Sequence, residues 1–460
     1  MTFYPNSTEY ASQPEGYWVI QNREMLPFCR FAPRSAEDVA FAIDAIRNTG
    51  SRFAITSGRH SVVLGANNAH KGVTIDFNAH MRRVEIDEPN SVVRVQPGAK
   101  WGDVYEYLES RGWMVVGGRL SDIGVGGLLL GGGISHYGPR KGWGSDNVLA
   151  FTVVLASGEI VRASPTSHSD LYWVLKGGGN RYGIVVEFEL AAFRYENPLF
   201  AGGILIDSAN LSEATRRLTV FNDEGSLRDD GLTATMPFKW SATNPNRTGL
   251  LFLADSYGRN FTNNASSPLH PLQEIASQPV GTSSLAYINV STLSVDLFST
   301  NNASRYAQTV MTLSNDLVVL EAAVDEFERL IQPLFAADPA LVAQAMYQPI
   351  TSAMFQQMTD SLMKLVDGPV FVFFLSFVWT DSSRDLYYES KLQQIHKEVE
   401  YKVRLLGGFR QWKYWNYAAG WQDVYRDYGD DVYHRLVRAV DAYDPDRVFF
   451  WLQQMSFDFI

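Results

Sequence analysis

Three short segments of the 460-residue chain concentrate glycine, and one of them contains a histidine. They read Thr56-Ser-Gly-Arg-His-Ser, Gly124-Val-Gly-Gly-Leu-Leu-Leu-Gly-Gly-Gly and Lys176-Gly-Gly-Gly-Asn-Arg-Tyr-Gly-Ile-Val. Runs of glycine let consecutive backbone N–H groups turn toward one anion, because no Cβ blocks positive φ or the approach of a pyrophosphate. Together the segments suit a dinucleotide. Each run taken singly is equally compatible with tight strand–turn–strand packing.

The standard nucleotide and metal fingerprints are absent from the sequence. No G-x-G-x-x-G opens a helix with an acidic residue about twenty positions later, and no G-x-x-x-x-G-K-[ST] occurs. His60, His70 and His80 do not have the spacing of metal ligands, so no metal site is predicted. Cys29 is the only cysteine, which excludes an internal disulfide, an iron–sulfur cluster and a thiolate zinc site. Redox chemistry would therefore require a bound organic cofactor.

Composition and charge narrow the possible partners. The formal net charge is -11 and no run of Lys and Arg occurs, so nucleic acid is not an expected partner. No apolar stretch is long enough to span a bilayer, and we expect a water-soluble protein with no membrane partner. Hydrophobic residues at 46% and charged residues at 19% are ordinary for a folded chain of more than one domain. The composition does not indicate an oligomeric state.

Asn-x-Ser/Thr sequons leave two interpretations of the compartment open. Five of them fall between 246 and 302 of the chain, and the complete set is Asn6, Asn210, Asn246, Asn260, Asn264, Asn289 and Asn302. Their crowding favours a secreted glycoprotein whose leader was trimmed. Chance sequons in Asn-rich and Ser/Thr-rich loops are the alternative, and they would fit a cytoplasmic protein.

Periodicity predicts alternating helices and strands up to about residue 190. Ser35 is an N-cap for an amphipathic helix over the residues that follow, and short β-branched runs at Phe53, Val73 and Ser91 predict strands. A second helix is predicted from Trp101 to Ser110. The middle third changes to Ser/Thr/Asn-rich turns and alternating strands, with a long helix at Val319–Ile331. A separate domain is therefore expected to start near residue 196.

The motifs taken together resemble a known family. In chain order they are S-G-x-H, I-G-V-G-G-x-x-x-G-G-G, D-N-V and L-x-G-G-G-N-x-x-G-I-V. This order and spacing resembles FAD-linked oxidoreductases of the vanillyl-alcohol oxidase / p-cresol methylhydroxylase (PCMH) superfamily, specifically berberine-bridge-enzyme-like proteins of fungal type. The resemblance runs from the P-x-C-x-x-x-P stretch at Pro27 to the Y-D-P at Tyr443.

The resemblance implies an α+β fold in three parts. Residues 1–195 would form a PCMH-type FAD-binding domain of two α/β subdomains. Residues 196–411 would form a substrate domain with a mainly antiparallel sheet flanked by helices. Residues 412–460 would return to the FAD-binding domain.

The family also implies how FAD is held. The histidine of S-G-x-H carries the flavin 8α-carbon in relatives, which assigns covalent attachment to His60. Many relatives use a second tether through a cysteine, but that position is Leu120 here, so attachment through His60 alone is expected. Arg59 stands where the family commonly has glycine. Its guanidinium would either neutralise the FAD pyrophosphate, which we favour, or narrow the pocket.

The remaining cofactor contacts are expected along the same motifs. Ile123 is placed beside the flavin face, where a bulky side chain would hinder access of O2. The other expected FAD-binding positions are Ser57, Gly58, Ser61, Ser121, Gly124, Gly126, Gly127, Asn147, Gly183, Ile184, Val185 and Asn416.

Three tyrosines are predicted as catalytic residues. Tyr414-Trp-Asn-Tyr resembles the family's Y-x-N-Y motif, so Tyr414 or Tyr417 would present a phenol to the substrate and Asn416 would bond the flavin edge. Tyr137 is the third candidate, just after Gly133-Ile-Ser-His. A tyrosine is a base only where a nearby cation or the flavin stabilises its phenolate. Packing of these aromatic rings against the flavin is the alternative.

The expected function is FAD-dependent oxidation of a small organic substrate. An alcohol, a sugar or a secondary metabolite would transfer a hydride to flavin N5, and O2 or another electron acceptor would then reoxidise the cofactor. Whether the enzyme is an oxidase or a dehydrogenase stays open. One alternative is an oxidative or redox-neutral cyclase of fungal secondary metabolism on the same flavin scaffold. Another is a binding protein that has kept the fold without the chemistry.

Overall fold

The computed structural model describes residues 1–275, 278–279, 285–296, 304–364 and 368–454. The sequon at Asn302 and the last six residues of the predicted C-terminal segment lie outside this range. The six other sequon asparagines are all exposed. Within the described ranges, no helix is both long and apolar enough to cross a membrane.

Two sheets are formed before residue 195. The first has β1 to β4 in the order β1-β2-β4-β3, with β4 parallel to both of its neighbours. The second is antiparallel, with the order β5-β6-β10-β8-β9, and β7 also pairs with β10. The strands are β1 Thr2–Phe3, β2 Cys29–Phe31, β3 Phe53–Thr56, β4 Val73–Asp76, β5 Val84–Asp87, β6 Val92–Val95, β7 Trp113–Val115, β8 Val148–Val154, β9 Ile160–Ala163 and β10 Ile184–Arg194.

The helices of this part begin and end largely where the sequence predicts. The long amphipathic helix has Ser35 as its N-cap, whose Oγ accepts from the Asp38 N–H, and it ends at Gly50, where φ is +63°. The helix at Trp101 ends at Glu109, one residue before the predicted end. The helices are α1 Thr8–Ser12, α2 Ile20–Arg23, α3 Ala36–Thr49, α4 Trp101–Glu109, α5 Val125–Leu130, α6 Gly138–Lys141 and α7 Ser169–Leu175.

One large antiparallel sheet dominates the middle of the chain. Its order is β14-β11-β13-β12-β17-β18-β16-β19, with β15 also paired to β11. The expected mainly antiparallel sheet is confirmed. Its strands are β11 Leu199–Ile206, β12 Leu232–Ser241, β13 Asn244–Asp255, β14 Gln278–Pro279, β15 Ala286–Ile288, β16 Arg305–Ser314, β17 Val342–Ile350, β18 Val370–Trp379 and β19 Phe409–Arg410.

Two long helices flank this sheet and bury its apolar side. The first includes the predicted Val319–Ile331 stretch and is longer, because Asp316 caps its N-terminus by accepting from the N–H groups of Val318 and Val319. Both helices close an apolar core over the central strands, with Phe327 and Phe377 fully buried in it. The helices are α8 Leu211–Val220, α9 Ser226–Arg228, α10 His270–Glu274, α11 Val290–Asp296, α12 Leu317–Ala337, α13 Ser352–Gln357 and α14 Asp385–Leu405.

The C-terminal helices lie against the first two sheets. Tyr425 donates its hydroxyl hydrogen to the Gly178 carbonyl, and Arg181 donates to the Phe449 carbonyl at 2.6 Å. These contacts hold the segment after the large sheet against the third glycine-rich segment. The helices are α15 Val424–Asp427, α16 Asp430–Tyr443 and α17 Val448–Trp451.

A buried arginine ties the N-terminal residues to the large sheet. Arg305, at the start of β16, is 4% exposed and donates to Glu24 next to α2 and to Asp385 at the start of α14. Pairing with two carboxylates compensates the cost of burying the guanidinium. The network fixes β16, which carries part of the cavity described below, relative to the N-terminal residues.

The first two glycine-rich segments are pressed together backbone to backbone. A Cβ at Gly58 would lie 2.1 Å from the Gly124 nitrogen, and a Cβ at Gly124 would lie 2.2 Å from the Gly58 nitrogen. Neither position has room for a side chain. Glycine is therefore required at both positions by the close approach of two backbones.

We predict that Gly58→Ala destabilises the apoprotein by at least about 1–3 kcal/mol, because the new methyl group meets backbone that cannot move aside as a side chain would. Gly127→Ala is the matched control. A Cβ there would meet no atom within 4 Å, so the apoprotein is expected to unfold at the wild-type temperature or slightly above it. Thermal unfolding of the two apoproteins is the measurement. Equal stability of both variants would contradict the packing described.

Candidate active site

A cavity of about 380 Å³ lies where the glycine-rich segments meet the large sheet and the C-terminal segment. The three glycine-rich segments, the large sheet and the C-terminal segment each contribute residues to its lining. Most of the predicted site residues are among them, namely Ser57, Gly58, Arg59, His60, Ser61, Leu120, Ile123, Gly124, Gly126, Gly127, Ile184, Val185, Tyr414, Asn416 and Tyr417.

Four predicted residues do not line this cavity. Tyr137 is 3% exposed and packs against Phe193 at 5.1 Å between ring centroids, so the expectation that its phenol faces the flavin is not met. Asn147 donates to the carbonyls of Lys141 and Trp143 and closes that turn. Ser121 and Gly183 are sequence neighbours of lining residues but are not themselves part of the cavity wall.

The loop after β3 carries a row of unused backbone donors. The N–H groups of residues 58 to 62 have no acceptor anywhere in the described part of the chain. Ser57 Oγ donates to the Pro97 carbonyl, which fixes the start of this loop. Successive free N–H groups in a loop form a concave site for an anion. Because these residues also line the cavity, they fit the pyrophosphate of a dinucleotide.

The start of α5 faces the same cavity. Gly126 and Gly127 lie in its first turn, and their N–H groups also lack an acceptor among the described residues. The space within 4 Å of a Cβ at Gly127 is empty, so the cavity extends up to the helix backbone. A dinucleotide approaching the backbone this closely would be blocked by any side chain. The residues present therefore fit FAD.

Arg59 does not extend its guanidinium into free space. Its Nη2 lies 2.7 Å from Asp76 Oδ2, its Nη1 donates to the Gln13 carbonyl, and it lies over the Tyr17 ring at 5.3 Å. Asp76 is fully buried. The backbone φ of Arg59 is +63°, which explains why glycine suits this position in relatives. The guanidinium is held by a carboxylate through Nη2, and its Nε has no partner among the described residues, so the favoured pyrophosphate contact stays a prediction.

His60 is held on two sides. Its Nε2 lies 2.9 Å from Asp122 Oδ2, and its ring stacks on Trp18 with centroids 4.8 Å apart. Burial alone would raise the pKa of Asp122, but the hydrogen bond and charge of His60 and the charge of Lys100 lower it below the ordinary value. Sequence reasoning missed Asp122 and Trp18, although Asp122 lies only two residues after the substituted cysteine position.

The Y-x-N-Y segment is hydrogen-bonded to α5, the helix formed by the second glycine-rich segment. Asn416 Nδ2 donates to the Leu128 carbonyl at 3.0 Å and to Tyr414 Oη at 3.1 Å. A Cβ at Gly131 would lie 2.2 Å from Asn416 Oδ1, so this contact needs glycine. Asn416 therefore fixes the C-terminal segment against α5.

The two phenols of this segment have different surroundings. Tyr414 is 1% exposed, its oxygen accepts from Asn416 and from the Ile134 N–H, and burial raises its pKa far above the ordinary value. Tyr417 lies in the cavity wall, and its oxygen accepts from Arg119 Nη2 at 3.0 Å. The hydrogen bond from Arg119 holds the Tyr417 phenol in the cavity wall, whereas the Tyr414 phenol is enclosed.

Arg119 was missed by the sequence analysis, although it precedes Leu120 directly. Its Nη1 donates to Gln348 Oε1 on β17 at 2.6 Å. Arg119 therefore connects the residues before the second glycine-rich segment to the large sheet and to Tyr417.

Among the described residues, the lining of the cavity contains two arginines and no carboxylate. Arg59 is neutralised by Asp76, and Arg119 has no carboxylate partner within the described ranges. The cavity therefore favours negative charge.

The large sheet supplies an aromatic wall that the sequence did not single out. Tyr306 and Gln308 lie two positions apart on β16 and therefore on the same face of the sheet. Phe374 is on the neighbouring strand β18. Burial raises the pKa of Tyr306 to about 12, and Phe374 packs on Tyr417 at 5.0 Å between centroids. The period-two spacing of Tyr306 and Gln308 is the only sequence signal for this wall.

The described residues contain no group of three or more His, Cys, Asp or Glu side chains that would hold a metal ion.

Comparison with known proteins gives three consistent matches. A family model described as "FAD binding domain" matches residues 27–164. The FAD-dependent monooxygenase tpcD of Cochliobolus heterostrophus is 31% identical over 97% of this chain and 87% of that relative. The fold is similar to 6-hydroxy-D-nicotine oxidase from Arthrobacter nicotinovorans, with a TM-score of 0.80 and 19% identity over 99% of this chain and 97% of that chain.

For a second solved structure the flavin linkage is named. The glucooligosaccharide oxidase of Acremonium strictum, with "6-S-cysteinyl, 8 alpha-N1-histidyl FAD", matches with a TM-score of 0.75 and 20% identity over 97% of this chain and 95% of that chain. The predicted fold class is confirmed. The chain belongs to the family of FAD-dependent oxidoreductases that includes tpcD, and its fold is similar to that of the 6-hydroxy-D-nicotine oxidase.

Proposed function

We propose that the protein oxidises a small hydroxylated aromatic molecule, using FAD attached through His60 alone and O2 as the electron acceptor. One observation carries the proposal. A single cavity joins the free N–H groups of residues 58 to 62, the ring of His60 and the Tyr417 phenol bonded to Arg119. An anion-binding loop, a nucleophile and an acid–base group thus share one space.

The chain's own residues assign a place to each part of the cofactor. The N–H groups of residues 58 to 62, with those of Gly126 and Gly127, would hold the pyrophosphate, and Ile184 and Val185 would line the dinucleotide. Leu120 has no nucleophilic atom, which leaves His60 as the covalent anchor. When bound, FAD supplies a two-electron acceptor that O2 reoxidises.

Tyr417 is the acid–base group that this geometry favours. Its oxygen accepts from Arg119, and it stands in the cavity wall, so it would take the hydroxyl proton of the substrate at Oη. Tyr414 has the weaker claim, because its oxygen already accepts two hydrogen bonds in a fully buried position. Its role would be to position Asn416 and the neighbouring backbone.

The substrate class follows from the rest of the wall. Phe374, Tyr306 and Tyr417 offer aromatic faces, and Arg119 offers a positive charge that no carboxylate of the described residues balances. An aromatic ring with an acidic hydroxyl fits both features. The relatives named as fungal FAD-dependent monooxygenases favour insertion of oxygen as a second candidate outcome. An oxidative or redox-neutral cyclase of secondary metabolism is the alternative, and only its redox-neutral form involves no net oxidation.

We expect His60→Ala to lose all covalent flavin. The reason is that no other nucleophilic side chain replaces the tether at Leu120. Acid precipitation should leave yellow, fluorescent protein for the wild type and for the exposed control His70→Ala, and colourless protein for His60→Ala. The FAD mass increment should fall on the wild-type peptide that contains His60. A free-flavin supernatant from the wild type would contradict the covalent claim.

We expect Tyr417→Phe to slow anaerobic flavin reduction by about 10²–10⁴-fold, because the substrate proton then has no acceptor. Arg119→Met should slow it as well, and Arg119→Lys less, since a charge is retained there. Tyr414→Phe should change the rate least. Stopped-flow absorbance of the flavin, on holoenzymes with wild-type flavin content, is the measurement. A normal rate in Tyr417→Phe would exclude it as the base.

A bleaching screen under anaerobic conditions tests the reaction class. Phenolic and polyketide-like aromatics should bleach the flavin more often than sugars, because the cavity wall is aromatic and positively charged. On readmission of ¹⁸O₂, oxidase chemistry gives one equivalent of peroxide and an unlabelled product, whereas monooxygenation gives a labelled product. Product formation without any flavin reduction would contradict the proposal and favour the cyclase.

A further inference from the structure

His60 has two chemically distinct ring nitrogens, and the structure distinguishes them. Nε2 faces the Asp122 carboxylate at 2.9 Å, and the stack on Trp18 prevents free rotation of the ring. A nitrogen that donates to a carboxylate carries the proton of a neutral imidazole. The lone pair is then on Nδ1, and only a nitrogen with a free lone pair is a nucleophile.

Asp122 is well suited to fix this tautomer. The side chain is 48% exposed, and its only side-chain hydrogen-bond partner among the described residues is His60. Although burial opposes ionisation, His60 and Lys100 keep the pKa of Asp122 below its ordinary value, so the group is a carboxylate at neutral pH. An ionised carboxylate accepts and does not donate.

We propose that Asp122 is the positioning residue that selects Nδ1 of His60 as the nucleophile in covalent attachment of FAD and stabilises the imidazolium that results. This inference rests on the proposed attachment through His60. It assigns a function to a residue that neither carries the flavin nor belongs to the glycine-rich motifs. The arrangement parallels other sites in which a carboxylate orients a histidine for reaction at its second nitrogen.

The step balances with O2 as the oxidant. A bond forms between Nδ1 of His60 and the 8α-carbon of FAD, and one C–H bond of that methyl group breaks. Its hydrogen leaves as a proton, and the two electrons reduce the flavin ring. The histidine becomes an imidazolium whose Nε2–H still donates to Asp122. O2 then takes two electrons and two protons and becomes hydrogen peroxide, which restores the oxidised flavin.

The carboxylate contributes twice in this step. Before the bond forms, it stabilises the tautomer with the proton on Nε2, whose Nδ1 has a free lone pair. As the bond forms, it pairs with the positive charge that appears on the ring. Asp122→Asn separates the two effects, because an amide oxygen can still accept from Nε2 but carries no charge. Asp122→Ala removes both. We expect wild type to react fastest, Asp122→Asn more slowly and Asp122→Ala slowest, by about 10²-fold overall.

The experiment uses the full chain produced under riboflavin limitation and then mixed with FAD in air. Covalent flavin is followed over time by in-gel fluorescence after acid denaturation. Quenching of free FAD fluorescence gives non-covalent affinity, which should be unchanged in both Asp122 variants because the pyrophosphate loop is intact. Asp103→Asn, a change at an exposed carboxylate bonded to Arg82, is the matched control.

The linkage nitrogen is a readout that a merely structural role would not alter. Mass spectrometry and NMR of the flavin-carrying peptide should show Nδ1 attachment in the wild type and a mixture of Nδ1 and Nε2 in Asp122→Ala. Attachment in Asp122→Ala at the wild-type rate and only through Nδ1 would overturn the inference while leaving His60 as the anchor. Covalent flavin in His60→Ala, or none in the wild type, would instead refute the attachment on which the inference rests.

Discussion

The contact between Gly58 and Gly124 is the constraint on which the site depends. Two loops from different sheets approach until a single methyl group would overlap backbone atoms. This approach aligns the free N–H groups of residues 58 to 62 with the first turn of α5. It also brings His60 within hydrogen-bond distance of Asp122. A side chain at either glycine would move the loop of residues 58 to 62, with His60, away from Asp122 and from the first turn of α5.

Charge in the cavity is arranged around the same junction. Arg59 is paired with the buried Asp76, and the N–H groups of residues 58 to 62 have no acceptor among the described residues. Arg119 has no carboxylate partner in the described chain and bonds Tyr417 and Gln348. The positive charge of Arg119 thus lies beside Tyr417 in the cavity wall. The same residue connects the large sheet to the C-terminal segment.

The sequence pointed to the glycine-rich side of the cavity more readily than to the side formed by the large sheet. Glycine runs and S-G-x-H are local patterns whose backbone requirements can be read directly, and the structure places Gly58, His60 and Gly127 in the cavity wall. Asn147 and Tyr137 were misplaced, because a motif does not reveal which way a side chain turns once the chain folds. Arg119 and Phe374 could not be found, since they meet only through a long-range approach of strands. The long helix α12 was predicted too short, because it starts directly after its capping residue Asp316 and continues past Ile331, through Pro333, to Ala337.

An experimental structure of the oxidised holoenzyme tests the central claim most directly. The account predicts continuous electron density from Nδ1 of His60 to the flavin, with Asp122 on Nε2. It also predicts the pyrophosphate over the N–H groups of residues 58 to 62 and Tyr417 on the substrate side. Flavin bound elsewhere, or a phosphate held by the Arg59 guanidinium with the loop N–H groups facing solvent, would contradict it.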